Sequence, residues 1–405
     1  MKYSAEEVLQ YVEEEDVKFI RLAFCDVYGK QKNISIMPSE LPRAFRDGIS
    51  FDASAVRGFG DETKSDLMLH PDPSTLTVLP WRPEHGRVVR MFCTITHPDG
   101  SAFDGDTRSI LIKAIGEAKK AGITFRFGPE LEFYLFKTDE LGNKTGIPYD
   151  EAGYMDIAPE DKGENVRREI CLMLEQMGIC PESSHHEEGP GQNEIDFRYS
   201  DALTAADNAQ TFETVVKTVS VRNGLWADFS PKPLKDKAGN GFHINISAKG
   251  ETKEDLLSYI IAGILRFVPE MTVFFNPKED SYARLGSNKA PSYISWSAEN
   301  RSQLVRVPAA AHEQKRVELR SPDPTANPYL AFALIIYAGL YGIQNKLTPP
   351  PAADMNFFSA DQETLAEFKM LPSSLDEAIF AMEKSDFIQK YLPKRIIELY
   401  SQKHC

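Results

Sequence analysis

Phe127-Gly128-Pro129-Glu130-Leu131-Glu132-Phe133-Tyr134-Leu135-Phe136 sets two glutamates into an apolar, aromatic run. In a strand, successive side chains leave opposite faces, so Glu130 and Glu132 project together while Leu131, Phe133 and Leu135 turn to a core. Such a pair repels itself and has poor β propensity, so it makes a poor solvated face. Three later segments share the habit. In His185-His186-Glu187-Glu188-Gly189-Pro190-Gly191-Gln192-Asn193-Glu194-Ile195-Asp196-Phe197 the glycines force a turn, and Ile195 and Phe197 leave Glu194 on the other face. In Gly239-Asn240-Gly241-Phe242-His243-Ile244-Asn245-Ile246, His243 and Asn245 oppose three apolar residues, and in Arg316-Val317-Glu318-Leu319-Arg320 the charged residues share a face. Each strand alone could be an amphipathic strand meeting water. Aimed together into one hollow, Glu130, Glu132, Glu187, Glu194, Glu318 and His243 suit two hard divalent cations. Arginines beside such ions suit a phosphoryl group in transfer.

The rest of the chain frames these strands. At 405 residues two domains are expected, with a boundary at about residue 100, in the polar stretch 97–107 carrying Pro98, Gly100 and Gly105. The predicted first domain, 1–100, holds a helix at 4–14 behind the capping signal Ser4-x-x-Glu7, strands at 17–25, 31–36, 75–79 and 87–96, and a Pro80-Trp81-Arg82-Pro83 link. The second, 101–405, is α+β, with helices at 108–121, 164–177, 202–223 and 252–267 and a helical tail at 375–399. A net charge of −14 argues against nucleic acid as the main partner. The five cysteines, Cys25, Cys93, Cys171, Cys180 and Cys405, form no CxxC pair, and the first three read as buried thiols. The N-terminus lacks an apolar signal region and no run of about 18 apolar residues is seen, so a cytoplasmic protein that neither enters nor spans a membrane is expected.

The motifs together resemble the type I glutamine synthetases across nearly the whole chain. The resemblance rests on Gly128-Pro129-Glu130-x-Glu132-Phe133, on His185-His186-Glu187 with Gly191-Gln192-Asn193-Glu194, and on Asn240-Gly241-Phe242-His243. It continues through Asn300-Arg301-Ser302, Arg306-Val307-Pro308, Arg316 to Pro324, and Asn327-Pro328-Tyr329. It implies an N-terminal β-grasp domain and a catalytic domain whose curved antiparallel sheet forms an open funnel. It implies an ATP-dependent ligase that phosphorylates the γ-carboxylate of L-glutamate, with Mg²⁺ or Mn²⁺, before a nitrogen nucleophile attacks. One ion would be held by Glu132, Glu187 and Glu194 and the other by Glu130, His243 and Glu318. Gly239 and Arg284 would hold glutamate, Arg301 would face the phosphoryl group, and Arg306, Arg316 and Arg320 would steady the ATP phosphates. Arg306 could equally be a surface ion pair, and His185 and His186 read as structural neighbours. Asp52 would reach into a neighbouring subunit's site, within hexameric rings stacked to a dodecamer.

The departures concern the nucleophile. Tyr154 is matched to the family's ammonium-site tyrosine, but Ala55 replaces a loop serine, Ala238 an asparagine, and Asn245 a common second histidine. Lys289 stands before Ala290-Pro291, where the family usually carries a flap glutamate. A lysine there would repel ammonium by an amount of the order of a few kcal/mol in a partly desolvated site. An amine other than ammonia is therefore favoured. Ammonium is the alternative, since Asp52 and Glu187 survive. A catalytically silent member is the third reading, disfavoured by the complete ligand set. Asn356-Phe357-Phe358-Ser359 lacks the tyrosine that many bacterial relatives adenylylate, so no such control is expected.

Overall fold

The computed structural model describes residues 3–60, 63–82, 85–250, 255–309 and 315–403. Pro83, Cys405 and the predicted helix start at 252 lie outside them. Helix α1 (Ala5–Glu14) begins where Ser4 Oγ accepts from the Glu7 N–H and the Glu7 carboxylate accepts from the Ser4 N–H, a reciprocal cap. β1 (Val17–Cys25), β2 (Gln31–Ile36), α2 (Leu41–Asp47), β3 (Ile49–Asp52), β4 (Asp66–Pro71), β5 (Thr77–Val78) and β6 (Arg87–Thr96) follow. The first sheet runs β2-β1-β6-β4-β3, with β5 added on β6 and only β1 and β6 parallel. The predicted strand at 75–79 shrinks to β5, because Pro73 and the Asp72 side chain hold 73–75 in a 3₁₀ turn.

The larger unit adds α3 (Thr107–Lys120), β7 (Ile123–Thr138), β8 (Lys144–Pro148), α4 (Glu164–Gln176), β9 (Pro181–His186), β10 (Gln192–Phe197) and β11 (Ser200–Asp201). Next come α5 (Ala202–Arg222), β12 (Leu225–Asp228), β13 (Phe242–Gly250), α6 (Leu256–Phe275), α7 (Glu279–Arg284), β14 (Trp296–Ala298), β15 (Val305–Val307) and β16 (Val317–Leu319). α8 (Pro328–Gln344), α9 (Gln362–Leu365), α10 (Leu375–Glu383), α11 (Asp386–Tyr391) and α12 (Lys394–Tyr400) close the chain. The fold is α+β: a β-grasp sheet and a curled sheet of order β14-β15-β16-β13-β7-β10-β9. The 16-residue β7 is its spine, pairing with β8, β10, β11, β12 and β13.

Apolar residues of β7 press one face onto helices. Phe127 stacks on Phe332 of α8 at 4.3 Å between ring centroids, and Phe133 meets Phe212 of α5 edge-on. The opposite face is left to the charged side chains. α8 escaped the sequence reading because it is apolar all round and nearly wholly buried, so no periodicity marks it. α6 continues past Pro269 to Phe275, beyond the expected end at 267, as its last residues are buried. By length and composition alone it could cross a membrane, but Arg266 and Glu270 interrupt its apolar run and 67% of that window is buried within the fold. The tail is three helices rather than one, because Ser385 caps α11 and Pro393 interrupts before α12.

α6 and α8 cross at van der Waals contact between backbones. A Cβ on Gly342 would lie 2.0 Å from the Tyr259 carbonyl oxygen, and one on Gly263 2.1 Å from that of Ala338. Helix propensity alone would make Gly342→Ala stabilising by about 1 kcal/mol. We expect the reverse, a loss of about 1–3 kcal/mol from overpacking, read from urea denaturation.

Candidate active site

Register does most of the positioning. On β7, Glu130 stands opposite His243 of β13 and Glu132 opposite Glu194 of β10. Glu194 in turn faces His185 of β9, and Glu318 of β16 faces both Asn245 of β13 and Arg306 of β15. Six strands therefore deliver their polar residues to one wall.

His243 sits at the centre. Its Nδ1 lies 3.7 Å from Glu130 Oε2 and 3.8 Å from Glu318 Oε1, and its Nε2 3.9 Å from Glu132 Oε1. Burial, reinforced by Arg320, pulls its pKa down to about 4, so the ring is neutral at pH 7 and keeps a lone pair for a ligand. Burial and then Glu318 and Asp196 push Glu130 up to about 8. Glu132, Glu187 and Glu194 are raised too, each first by burial, with neighbouring carboxylates adding to it. Glu318 is the exception. Burial would raise it, but Arg320, His243 and Arg306 overcome that and hold it at about 2.

Oxygen and nitrogen atoms of Glu130, His243 and Glu318 lie within 4.8 Å of one another, as do those of His185, Glu187 and Glu194. A neutral imidazole among carboxylates that raise one another's pKa is a donor set that fits divalent cations. Glu132 borders both groups, with its Oε2 accepting from the Gly241 N–H at 2.7 Å and from Gln192 Nε2 at 3.2 Å. His185 was read as a bystander, and its ring lies within reach of the second group. His186 is fully buried, 2.9 Å from Asp150.

The arginines divide the remaining work. Arg306 Nη1 donates to Glu318 Oε2 at 2.7 Å with its side chain 15% exposed, so it is no surface ion pair. Arg320 Nη1 donates to Glu318 Oε1 at 2.9 Å. Arg316 Nε donates to Asn245 Oδ1 at 2.9 Å, and Asn245 Nδ2 donates to Glu130 Oε1 at 2.6 Å. Asn245 thus ties a guanidinium to a carboxylate of the cluster. Arg284 lies under the glycine loop, donating to the carbonyls of Ser321 and Arg320. Gly239 is required there, because a Cβ would meet the Pro231 carbonyl oxygen at 2.5 Å. Arg301 is exposed, and its charge reaches Tyr154.

Two expected residues sit apart from the cluster. Asp52 ends β3 on the first sheet, exposed, with its carboxylate accepting from Ser54 N and Oγ at 2.9 and 2.7 Å. The fold of one chain does not bring it to the carboxylates. Lys289 makes an ion pair with Glu188. Its charge is therefore compensated, and the repulsion of ammonium expected of it loses most of its force.

Sequence reasoning missed three supports. Gln192 Nε2 bridges Glu132, the Gly239 carbonyl and Asn240. Asp150 accepts from the Gly191 and Lys162 N–H groups, and buried Arg167 joins Asp161 to Asn193. A cavity of about 580 Å³ opens beside Glu130 and Arg316, with Arg126 stacked 4.3 Å over the Tyr199 ring.

Known proteins resemble this chain over nearly its whole length. The family model described as glutamine synthetase, catalytic domain, matches residues 104–404, and the glutamine synthetase beta-grasp model matches 16–98. A glutamine synthetase of Clostridium saccharobutylicum is 42% identical, over 98% of this chain and 94% of its own length. One of Methanosarcina mazei is 44% identical, over 98% and 92%. A solved GmaS–ADP complex superposes with a TM-score of 0.87 at 27% identity, covering 97% of this chain and 93% of that one. A Plasmodium falciparum glutamine synthetase at 23% identity shares the fold with a TM-score of 0.86, over 99% and 95%. With both halves matched and relatives aligned end to end, the chain belongs to the glutamine synthetase family and is an ATP-dependent ligase that forms carbon–nitrogen bonds.

Proposed function

We propose that this chain is a glutamine synthetase in activity as well as family, joining ammonia to the γ-carboxylate of L-glutamate. The observation that carries the ligase chemistry is the convergence of Glu130, Glu132, His243 and Glu318 with Arg306 and Arg320. Ammonia is supported by relatives at 42–44% identity that bear the name glutamine synthetase, and by the compensation of Lys289 by Glu188.

A carboxylate does not release hydroxide to an amine at neutral pH. Transfer of the ATP γ-phosphoryl group to the glutamate carboxylate makes an acyl phosphate, which ammonia attacks. Both steps gather negative charge. Arg306 and Arg320, held in place by Glu318, and Arg316, held by Asn245, supply fixed positive charge where it develops. Glu130, His243 and Glu318 would hold one Mg²⁺ or Mn²⁺, and Glu132, Glu187 and Glu194 another, supplying Lewis-acid charge to the phosphates when bound. The cavity at Tyr199 and Arg126 would take the nucleotide base, and Gly239 and Arg284 would border bound glutamate. Exposed Asp52 would complete a neighbour's site in stacked hexameric rings, each chain divided near residue 100 into its two domains.

The test is phosphate release from ATP with glutamate and a panel of nitrogen compounds. Ammonium is expected to raise the glutamate-only rate at least about tenfold, a lowering of the barrier by about 1.4 kcal/mol or more. Preference for an alkylamine over ammonium would favour the second reading, which the lysine at position 289 motivates. If no nitrogen compound raises release, the ligase reading fails.

A further inference from the structure

The C-terminal helix and the chain that follows Asp52 are far apart in sequence and meet on one side chain. Asp52 ends β3, and Asp66, its cross-strand neighbour, opens β4. Their connection is tied at its neck, where the Ala53 N–H donates to the Ser65 carbonyl at 2.7 Å. Two successive turns follow Asp52: the Val56 N–H donates to the Ala53 carbonyl and the Phe59 N–H to the Val56 carbonyl, each at 3.0 Å. This run of turns ends against α12, where Arg395 Nη1 donates to the carbonyls of Gly58 and Phe59 at 3.2 and 3.4 Å. Arg395 Nε donates to Asp104 Oδ1 at 2.8 Å, which aims the planar guanidinium. Gly58 is in left-handed backbone at φ 84°, and a Cβ there would lie 2.6 Å from Val27 Cγ2 and 3.0 Å from Leu399 Cδ1. The turn thus passes too close to α12 for a side chain. Phe59 is buried edge-on against Phe103 at 5.0 Å between centroids, and the Arg395 guanidinium lies 5.3 Å from the same Phe103 ring.

The Asp52 carboxylate itself is exposed and accepts from Ser54, inside the first of those turns. Its placement toward a neighbouring chain is therefore inherited from the turns, and the turns are anchored on the C-terminal helix. We propose that Arg395 is a positioning residue for the ligase reaction: by fastening the 56–59 turn to α12, it holds Asp52 in place for a neighbouring subunit's site. This rests on the ligase reading and on Asp52 acting across the subunit boundary. A carboxylate that takes a proton from the nitrogen nucleophile must stand within hydrogen-bond reach, and a displacement of about 1 Å can cost about a hundredfold in rate. The Arg395 side chain is 35% exposed and its ion pair with Asp104 adds little to the stability of the fold. What Arg395 governs is where the turn sits, not whether the chain folds.

The experiment is steady-state kinetics of the full-length protein, with ammonium, glutamate and ATP each varied in turn, on Asp52→Asn, Arg395→Gln and the double variant. Asp52→Asn is expected to lower kcat/KM for ammonium about 100-fold, the low end for a positioned base. Arg395→Gln is expected to lower it about tenfold, with the KM for ATP within about twofold of wild type and the melting temperature within about 3 °C. In the Asp52→Asn background the same change is expected to cost less than about twofold more, since a turn that no longer carries a carboxylate has nothing left to misplace. Arg395→Lys, whose single ammonium cannot span two carbonyls, is expected to follow Arg395→Gln and serves as the second variant should the first not fold. An unchanged kcat/KM in Arg395→Gln overturns the proposal, as does a loss that multiplies in full with that of Asp52→Asn. An Asp52→Asn protein as active as wild type removes Asp52 from the reaction and the proposal with it. Wild-type protein that no amine stimulates overturns the ligase reading itself, so the failures are distinguishable.

Discussion

Glu318→Gln is expected to cut ammonium-stimulated phosphate release by about 10³-fold or more. Three groups depend on this one carboxylate. Arg306 and Arg320 each donate to one of its oxygens, and His243 Nδ1 lies 3.8 Å from it. An amide keeps one acceptor but turns the other edge into a donor facing a guanidinium, and it removes the charge that holds both arginines. The same change leaves two guanidinium groups without their counter-charge in a buried setting, which costs stability of about 3–5 kcal/mol when one partner of a buried pair is lost. A thermal melt alongside the kinetics separates the two effects. Residual activity in a folded Glu318→Gln protein within tenfold of wild type would remove Glu318 from the chemistry.

Metal-free protein is expected to lose stability as pH rises from 6.5 to 8, and added Mg²⁺ or Mn²⁺ to reverse that trend. The sign follows from proton binding. Glu130 titrates at about 8 in the fold against an ordinary 4.5, and Glu132, Glu187 and Glu194 are displaced upward with it, first of all by burial. Between those limits the folded state holds protons that the unfolded chain has released, so rising pH favours unfolding. His243, held at about 4 by burial and Arg320, opposes this only below its ordinary 6.5, and so leaves the higher window clear. Glu318 works the other way. Its stabilisation is complete above 4.5 and is lost as pH falls toward about 2. Cations bind the deprotonated carboxylates, so their contribution grows through the same window. At a hundred times its dissociation constant each ion adds about 2.7 kcal/mol, which calorimetric melts at pH 6.5 and 8 detect as a shift of several degrees. Melting temperatures that rise with pH in metal-free protein would contradict the stated charge crowding.

The strands bearing the cluster were legible because alternation is a local signal. Glu130 with Glu132, and Glu194 against Ile195 and Phe197, declare their faces within a few residues. What opposes what was not legible, because register is a tertiary property. Nothing near Glu130 in the chain announces His243, and nothing near Lys289 announces Glu188, a hundred positions earlier. That gap is why Lys289 read as a bare positive charge and pointed to an unusual amine. The supporting roles of Gln192, Asp150 and Asn240 were not legible for a related reason. Their value lies in hydrogen bonds to backbone groups of other loops, and amides in a turn look like ordinary turn chemistry. α8 was lost from the opposite cause: a helix buried on every side has no polar face to reveal its period.

The most direct measurement is Mn²⁺ binding, followed by the electron paramagnetic resonance of the free ion, in the wild-type protein, Glu130→Gln and Glu194→Gln. About two tightly bound ions per chain are expected, as two groups of hard donors would hold, with each variant weakening one ion and sparing the other. Identical Mn²⁺ binding in all three proteins would show that these buried acids serve something other than divalent cations, and the account would not stand.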